Sequence, residues 1–369
     1  MTTVPEKDAL NELLQGTLKG VSRAFYLSLR VLPPPVRRPV SLAYLIARAM
    51  DTICDTEVLS TDLRLGLIRS VRGQVQGLTS DDSIDHITTL YESTNIAVNE
   101  MTLLRSLPTA ISLLEILPPS DRELVRGVVV TLSHGIEIDL VTFPSKSPGE
   151  LTAFQSLAEL DRYTYYVAGC VGEFWTQIAI LHTKSLSGWN LKMMSESGIR
   201  FGKALQMTNI LRDIPKDISM GRCYIPKAEL SAQGLVPTDL LDSSQRNNVR
   251  GVVSKLTNLT LDHYTFAARY LFSIPRTAFR LRIATVWPMV MGLATLAELA
   301  KNDWWVDQDT PVKVSRRWVY GMIAISIPCT WSNTLLRIWV NHLFSNTRKR
   351  MSSTPSNTKG EQHPPQEIL

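Results

Sequence analysis

Cysteine is scarce in this sequence, and its spacing does not suit a metal site. The 369 residues include four cysteines, with no CxxC pair and no Cys/His cluster among them. Zinc sites are typically recognised by such groupings, and four widely scattered cysteines do not suggest a disulfide framework either. We therefore expect reduced, mostly structural thiols at Cys54, Cys170, Cys223 and Cys329.

The glycine-rich signatures of nucleotide binding are also missing. Neither GxGxxG nor GxxxxGK[ST] occurs, which excludes the usual Rossmann and P-loop sites. The net charge of +5 is modest and gives no reason to expect a nucleic-acid partner. Part of that charge lies in the motif NTRKR, which would equally suit an anionic membrane surface.

No apolar leader opens the chain. The first ten residues, MTTVPEKDAL, are polar, whereas a secretory signal is basic and then apolar, so we expect a cytoplasmic protein. The apolar segment from Trp318 to Phe344 is interrupted by Pro328, Asn333 and Arg337. We interpret it as an amphipathic last helix, which would at most contact the inner face of a membrane peripherally, rather than as a span.

Strand-like alternation is rare, and apolar residues recur with helical periodicity over most of the chain. We predict an all-α protein with one globular domain over residues 1–345 and a disordered polar tail over 346–369. Prolines and polar loops separate the predicted helices. These cover residues 8–32, 38–55, 61–78, 83–105, 108–117, 120–142, 160–182, 198–218, 243–270, 275–300 and 313–344.

Two pairs of aspartates stand out within apolar segments. Asp51 and Asp55 lie in ARAMDTICDT, and Asp213 and Asp217 lie in QMTNILRDIPKD. Residues four apart project from one helix face, so each segment offers two carboxylates to a single point. Unpaired charges on a mostly buried helix are costly, and hard divalent cations such as Mg2+ take carboxylate oxygens. Two such helices facing each other would make a clamp for Mg2+ and a diphosphate.

Acidic pairs also occur by chance on solvated helix faces. Here the apolar stretches LAYLIARAM and ALQMTNIL precede the two pairs, which favours buried helices and hence a site. Tyr44 and Arg48 share the face of the first pair, and Gln206 and Asn209 share that of the second. Pro215 should kink or end the second helix.

Four ordered blocks of the sequence resemble the squalene and phytoene synthase family. They are SRAFYLSLRVLP, AYLIARAMDTICD, DRYTYYVAGCVG and QMTNILRDIPKDISMGRCYIP. Within the family, the motifs VAGCVG and PMVMGLATL look most like squalene synthases of the bacterial type. The resemblance implies an isoprenoid synthase-type helical bundle with a central apolar cavity.

The activity that the resemblance implies is prenyl transfer in two steps. Two farnesyl diphosphates would condense head to head to presqualene diphosphate, which NADPH would then reduce to squalene. The four aspartates would bind Mg2+, which neutralises the diphosphate as the allylic C–O bond ionises, and Tyr163 would steer proton loss. The implied substrate-binding residues are Ser22, Arg23, Tyr44, Arg48, Gln206, Asn209, Arg212 and Arg222.

NADPH would be bound near Asn209, Lys313 and Arg316, according to the same resemblance. The chain departs from the family pattern at Ser315, where a second basic residue is expected, and at Met289, where a glutamine is expected. Without hydride transfer, a related enzyme yields dehydrosqualene, releases presqualene diphosphate, or makes phytoene from a longer substrate. A catalytically silent lipid-binding or assembly partner is the non-enzymatic alternative. The sequence predicts no oligomeric state.

Overall fold

The structure, a computed structural model, describes residues 12–22, 25–56, 59–78, 85–92, 96–144, 151–300 and 312–353. Most of these residues are helical, which confirms the predicted all-α class. Their contacts group into two compact units, one formed by Met1–Pro144 with Cys170–Ser195 and the other by Ser145–Gly169 with Glu196–Leu369. The predicted single domain over residues 1–345 stays a prediction.

The described elements are mostly helices. In chain order they are a π-helical turn (Leu13–Thr17), α1 (Leu18–Val21), α2 (Phe25–Val31), α3 (Pro34–Asp55), α4 (Thr61–Gln76), α5 (Asp85–Glu92), α6 (Val98–Glu115), α7 (Pro119–Thr142), β1 (Thr152–Ala153), α8 (Leu157–Thr164), a second π-helical turn (Tyr165–Gly169), α9 (Cys170–His182), α10 (Leu191–Ser219), β2 (Arg222–Cys223), α11 (Lys227–Ser231), α12 (Arg246–Ser273), α13 (Phe279–Leu299), α14 (Arg316–Trp331) and α15 (Asn333–Ser353). Short 3₁₀ turns cover Lys184–Leu186, Pro237–Leu241, Ser243–Gln245 and Arg276–Ala278.

Helix α3 lies at the centre of the first unit. It packs against α4, α6, α7 and α9, and its residues Leu42, Ile46 and Met50 are fully buried. It begins at Pro34, four residues before the predicted start, because proline at the first helical position has no N–H to leave unpaired. This buried helix presents the first acidic pair.

Three further predicted helix boundaries in the first unit were wrong. The predicted helix over 8–32 is interrupted at Ser22, whose Oγ donates to the carbonyl of Leu18 at 2.5 Å. The predicted helix over 83–105 is interrupted between α5 and α6, and the expected break before Pro108 does not occur. Burial of Leu104 and Leu107 on the same helix outweighs the hydrogen bond lost at proline, which costs about 3 kcal/mol.

The C-terminal boundary was also wrong, in two respects. A break at Ser332 divides the predicted helix over 313–344 into α14 and α15. Helix α15 then continues to Ser353, past the predicted start of the disordered tail at residue 346. Arg350 explains the extension, because its Nη1 donates to the carbonyl of Ala297 at 2.9 Å and to Oε1 of Glu298 at 2.6 Å. Residues 354–369 lie outside the described residues.

The second unit is held by close contacts between helices. Helix α13 packs against α12, α14 and α15. Arg282 of α13 is fully buried and donates to Oδ1 of Asn333 at the start of α15. Trp287 of α13 donates through Nε1 to Oγ of Ser326 in α14 at 2.9 Å. These bonds give partners to Nη2 of Arg282 and Nε1 of Trp287, two buried donors that would be costly to leave unpaired. Nε and Nη1 of Arg282 are buried without a hydrogen-bond partner among the described residues.

Helix α10 approaches the second π-helical turn so closely that only glycine fits. A Cβ on Gly202 would lie 2.1 Å from the carbonyl oxygen of Ala168, and one on Gly169 would lie 3.2 Å from Cγ2 of Ile199. A small residue at Gly169 is explained by packing, because α10 fills the space beside it.

A two-residue parallel bridge follows α10. Thr152 of β1 pairs with Arg222 of β2, and Ala153 pairs with Cys223. Gly221 has a φ of 74°, a left-handed conformation that favours glycine, and it turns the chain from α10 into β2. This turn brings Arg222 into the buried interior of the second unit.

All four cysteine thiols are buried and none forms a disulfide, as the sequence analysis predicted. Burial raises the pKa of Cys170 and that of Cys223 to about 12. Within the described residues, no helix is both long enough and apolar enough to cross a membrane.

Replacing Gly202 by Ala is expected to lower the free energy of unfolding by about 1–3 kcal/mol, because the added methyl group would overlap the carbonyl of Ala168. Gly127→Ala is the matched control, since a Cβ there meets nothing within 4 Å and alanine raises helix propensity by up to about 1 kcal/mol. Denaturant unfolding followed by circular dichroism measures both effects. Equal stability of the two variants would contradict the packing argument.

Candidate functional site

The first acidic pair lies on an exposed strip of a buried helix. Asp51 and Asp55 of α3 are exposed, whereas Thr52, Ile53 and Cys54 between them are buried. The two carboxylates therefore share one accessible side of α3, as their spacing predicted. Both are oxygen ligands of the kind that hard divalent cations take.

Asp51 has a strongly perturbed acidity. Its pKa is raised to about 7, first by loss of hydration among surrounding protein atoms and then by the negative charges of Asp55 and Asp139, while Arg48 acts in the opposite direction. Water nevertheless reaches the Asp51 side chain. A cation bound here would remove the repulsion that now favours the protonated form.

Asp139 is a member of this site that the sequence analysis missed. It lies on α7, is 8% exposed, and adds a third negative charge near Asp51. Its position between the apolar residues Ile138 and Leu140 was the available signal, because acids are seldom found among buried residues. A second acid in the same segment, Glu137, weakened that signal. Among the described residues, no group of three or more Asp, Glu, His or Cys side chains is arranged so that it could hold a metal ion.

Arg48, one turn before Asp51, already has a partner. Its Nη2 lies 3.1 Å from Oε1 of Glu100 on α6. Both side chains are partly exposed, so this ion pair contributes little to stability, and a diphosphate could compete for the guanidinium. Glu100 is thus a second residue of the site that the sequence analysis missed.

Tyr44 and Ser22 make contacts to the N-terminal helices of the first unit. The Tyr44 hydroxyl donates to the carbonyl of Val21 at 3.3 Å, and its ring centroid lies 5.3 Å from that of Phe25. Ser22 is buried and donates to Leu18, as described above. Arg23, another predicted substrate-binding residue, lies outside the described residues.

The second acidic pair differs from the first because an arginine binds one of its members. Arg212 donates to both carboxylate oxygens of Asp213, through Nε at 2.8 Å and Nη2 at 2.6 Å. This bidentate bond, with a further contribution from the charge of Asp217, raises the pKa of Arg212. Asp213 can hold a metal ion only by sharing or releasing this arginine.

Asp217 is half-buried near the end of α10. Pro215 does not end this helix, which continues to Ser219; the predicted kink stays a prediction. Asp217 lines a small cavity together with Arg222, Tyr224 and the apolar side chains around them. The cavity has room for about one water molecule, so it cannot accommodate a prenyl chain. Arg222 itself is 7% exposed.

Tyr163 belongs to a cluster of three aromatic rings within the second unit. Its centroid lies 5.3 Å from that of Tyr224, with the planes 25° apart, and 5.3 Å from that of Phe154. Tyr163 is 6% exposed. The sequence analysis identified Tyr163 alone, because Phe154 and Tyr224 are brought together only by the pairing of β1 with β2.

A buried lysine supports the helix that carries Tyr163. The Nζ of Lys203 on α10 lies 2.6 Å from Oδ1 of Asp161, two residues before Tyr163 on α8. Lys203 is 8% exposed. Its ion pair restrains the position of α8 relative to α10, and the sequence analysis did not identify it.

The residues predicted to bind NADPH are exposed and separated along the chain. Asn209 lies on α10, Lys313 precedes α14, and Arg316 is the first residue of α14. Among the described residues, no hydrogen bond or ion pair joins Asn209 to either basic residue. Ser315, at a position where the family resemblance calls for a basic residue, is the N-cap of α14 and accepts from the backbone N–H of Trp318 at 3.2 Å.

The comparison with known families gives a definite result. The family model described as "Squalene/phytoene synthase" matches residues 18–318, and this chain belongs to that family. The match contains both acidic helices, the aromatic cluster and Lys313. It ends inside α14, so α15 lies beyond it.

Curated relatives include more than one kind of enzyme. The chain is 27% identical over 297 residues to the squalene synthase of Eremothecium gossypii, covering 79% of this chain and 62% of that protein. It is 26% identical over 289 residues to the bifunctional lycopene cyclase/phytoene synthase of Colletotrichum graminicola, covering 76% and 44% respectively. The chain thus spans less than two thirds of the length of these relatives.

A solved structure supports the fold. The chain superposes on TcSQS in complex with the ligand E5700 with a TM-score of 0.73 and 21% sequence identity, covering 94% of this chain and 99% of that one. This confirms the isoprenoid synthase-type all-α fold.

Replacing Asp51 by Asn is expected to stabilise the metal-free protein above neutral pH. The folded pKa is about 7, whereas an unfolded Asp titrates at about 3.9. Protonated Asp51 therefore contributes to folding stability below the pKa of the unfolded state, and this contribution is lost as the pH rises through the pKa of the folded state. Because Asn cannot ionise, its advantage in melting temperature, measured with a chelator present, should grow from pH 5 to pH 8.

Asp62→Asn is the control for this measurement, since Asp62 is an exposed aspartate on α4 and should show no comparable gain. The prediction is contradicted if the Asp51→Asn variant is less stable than the unmodified chain at pH 8. The fold would then stabilise the ionised carboxylate of Asp51 rather than destabilise it.

Proposed function

We propose that this protein condenses two molecules of farnesyl diphosphate head to head to presqualene diphosphate, and then reduces that intermediate to squalene with NADPH. Membership of the squalene/phytoene synthase family supports the prenyl-transfer part. The observation that carries the proposal is that α3 and α10 each combine two carboxylates with an arginine. Such a combination suits a diphosphate and its cations.

Magnesium fits the residues of the first pair. Asp51 and Asp55 would hold it, because both are accessible and because loss of hydration and, after it, the charge of Asp55 raise the pKa of Asp51. When bound, Mg2+ supplies charge neutralisation for the departing diphosphate. Arg48 would bind diphosphate oxygens in place of Glu100, since a guanidinium presents two parallel N–H donors to phosphate.

Asp213 and Asp217 would hold Mg2+ in the second unit, with Arg212 contributing to the diphosphate. Arg212 already donates two hydrogen bonds to an anion in the geometry that it would use for a phosphate group. If Arg212 exchanged the carboxylate of Asp213 for a diphosphate, it would still donate two hydrogen bonds to an anion. Gln206 and Asn209 lie earlier on the same helix and would add neutral polar contacts.

Tyr163 would act on the hydrocarbon part of the substrate. A carbocation formed when the diphosphate leaves requires surroundings that exclude water and offer no stronger nucleophile. Tyr163, Tyr224 and Phe154 supply aromatic surfaces that stabilise positive charge. The Tyr163 hydroxyl is the group in this cluster that we assign to guiding proton loss.

The reductive half of the reaction would depend on Asn209, Lys313 and Arg316. Lys313 and Arg316 are exposed cations that fit the phosphate groups of NADPH. A second candidate function, condensation without hydride transfer to phytoene, dehydrosqualene or presqualene diphosphate, has support as well. The likeness to a phytoene synthase and the use of Ser315 as a helix cap both favour it.

The deciding experiment incubates purified protein with farnesyl diphosphate and Mg2+, with and without NADPH, and identifies the products by chromatography. Squalene formed only with NADPH is the expected result. Asp51→Asn and Asp213→Asn should each lower turnover about a thousandfold, since the charge neutralisation removed amounts to several kcal/mol. Asp262→Asn, an exposed aspartate on α12, should leave turnover unchanged.

Other products would redirect the assignment. If presqualene diphosphate or dehydrosqualene forms whether or not NADPH is present, the protein does not carry out the reduction step. If phytoene forms from geranylgeranyl diphosphate, the substrate is geranylgeranyl diphosphate rather than farnesyl diphosphate. No product from either substrate would favour the silent lipid-binding or assembly alternative.

Lys313→Gln separates the two halves of the proposed reaction. We expect the KM for NADPH to rise about tenfold, because one charge-assisted contact to a phosphate is lost, and presqualene diphosphate to accumulate. The rate of its formation should stay constant. Lys184→Gln, at an exposed lysine of the first unit, is the control. A slower first step in Lys313→Gln would show that Lys313 acts in the condensation itself.

A further inference from the structure

The first unit contains a cavity of about 430 Å³ among its N-terminal elements. Its walls come from the first π-helical turn, α1, α2 and the start of α3. None of the described residues assigned above to the metal ions, the diphosphate or NADPH lines it. Its volume falls within the range of about 300–1,000 Å³ that is typical of sites for small molecules. We call it the N-terminal cavity.

Three leucines form the apolar wall of the N-terminal cavity. Leu18 on α1 is 2% exposed and Leu29 on α2 is fully buried, whereas Leu14 in the π-helical turn is partly exposed. Two of the three side chains are thus packed into the protein and give the wall a defined shape. A hydrocarbon chain in contact with this wall would be removed from water, which is favourable.

The opposite character is supplied by cations. Lys19 on α1, Arg30 on α2 and Arg37 on α3 line the same cavity. Among the described residues, every charged side chain that lines the cavity is positive. Three positive charges around one space repel each other, and an anion bound between them would relieve that repulsion.

The three cations differ from the other arginines of the first unit, which have acidic partners. Arg48 is paired with Glu100, and Arg72 is paired with Glu137. Within the described ranges, by contrast, no ion pair or side-chain hydrogen bond engages any of the cations of the cavity, and the same is true of the Tyr26 hydroxyl on its wall. Guanidinium, ammonium and hydroxyl groups are donors that suit phosphate oxygens.

We propose that the N-terminal cavity binds an organic phosphate with a single hydrocarbon chain. Its phosphate would contact Lys19, Arg30 and Arg37, and its chain would lie against the three leucines. The cations alone would suit a free phosphate, and the leucines alone would suit a neutral hydrocarbon. Because both line one cavity, the ligand that fits best carries both groups. Prenyl phosphates and lysophospholipids that end in a phosphate share this chemistry.

This inference goes beyond the proposed reaction and does not depend on it. Binding is measured with a chelator present and without farnesyl diphosphate, so it succeeds or fails separately from catalysis. The cavity nevertheless lies close to a predicted substrate-binding residue. Leu18 lines the cavity with its side chain, and its carbonyl accepts the hydrogen bond of Ser22.

The experiment uses decyl phosphate, below the concentration at which it forms micelles, with the full chain. Isothermal titration calorimetry compares it with decanol and with inorganic phosphate. We expect decyl phosphate to bind at least tenfold more tightly than either, because it makes both kinds of contact. A decyl phosphate with a photoreactive diazirine in its chain should label residues 13–31, as located by mass spectrometry.

Substitutions in the cavity should separate the two kinds of contact. Arg30→Gln with Arg37→Gln should weaken the binding of decyl phosphate at least tenfold, because charge-assisted contacts to the phosphate are lost. Leu14→Ser should weaken it about tenfold while leaving the binding of inorganic phosphate unchanged. If the double variant misfolds, Lys19→Gln gives a second readout with an expected loss of about fivefold, since this lysine is exposed.

The matched control replaces two exposed lysines elsewhere in the first unit, Lys184→Gln with Lys192→Gln, and should bind decyl phosphate as the unmodified chain does. Circular dichroism establishes that each variant is folded. A further variant, Arg48→Gln with Arg212→Gln, removes cations of the candidate functional site. Labelling of residues 13–31 should persist in it.

Competition distinguishes the two sources of the ligand. Displacement of the photoreactive label by farnesyl monophosphate would indicate a prenyl phosphate, and displacement by lysophosphatidic acid would indicate a lysophospholipid. Displacement by neither compound would contradict the assigned class.

Three other results would overturn the proposal. One is equal affinity for decyl phosphate and for inorganic phosphate or decanol, which would leave only one kind of contact. Another is an equal loss of binding in the Arg30 and Arg37 variant and in the lysine control. The third is labelling that lies outside residues 13–31 and disappears in the Arg48 and Arg212 variant, which would assign the binding to the candidate functional site.

Discussion

Repulsion between two carboxylates one helical turn apart is the constraint on which the candidate site depends. Helix α3 tolerates Asp51 and Asp55 because its other sides are buried against neighbouring helices, so apolar packing offsets the unfavourable charge. The fold thereby holds both carboxylates on one accessible strip of α3. A site of this kind is unfavourable when empty and favourable when a cation is bound, as expected where stability is exchanged for function.

The second acidic pair meets the same constraint in a different way. Arg212 neutralises Asp213 through two hydrogen bonds, so the electrostatic repulsion between the two carboxylates of α10 is smaller. The two pairs look alike in the sequence but differ in chemistry. Cation binding at the first pair relieves repulsion, whereas binding at the second exchanges one ionic partner for another.

Close packing determines where Tyr163 lies. Gly202 lets α10 approach the turn that follows α8, and Lys203, the next residue, binds Asp161 on α8 itself. The bridge between β1 and β2 then brings Phe154 and Tyr224 against the Tyr163 ring. A tyrosine in aromatic, largely water-free surroundings results from these contacts together.

The amino-acid sequence by itself determined the helical class, the two acidic pairs and the family, because periodicity and i, i+4 spacing are local properties of the chain. It also indicated reduced, mostly structural thiols. The passage of α6 through Pro108 was decided by tertiary packing. So were the ion pairs of Arg48 with Glu100 and of Lys203 with Asp161, since those partners are 52 and 42 residues apart. Only folding brings such distant residues within hydrogen-bonding distance, and no local pattern records their energies.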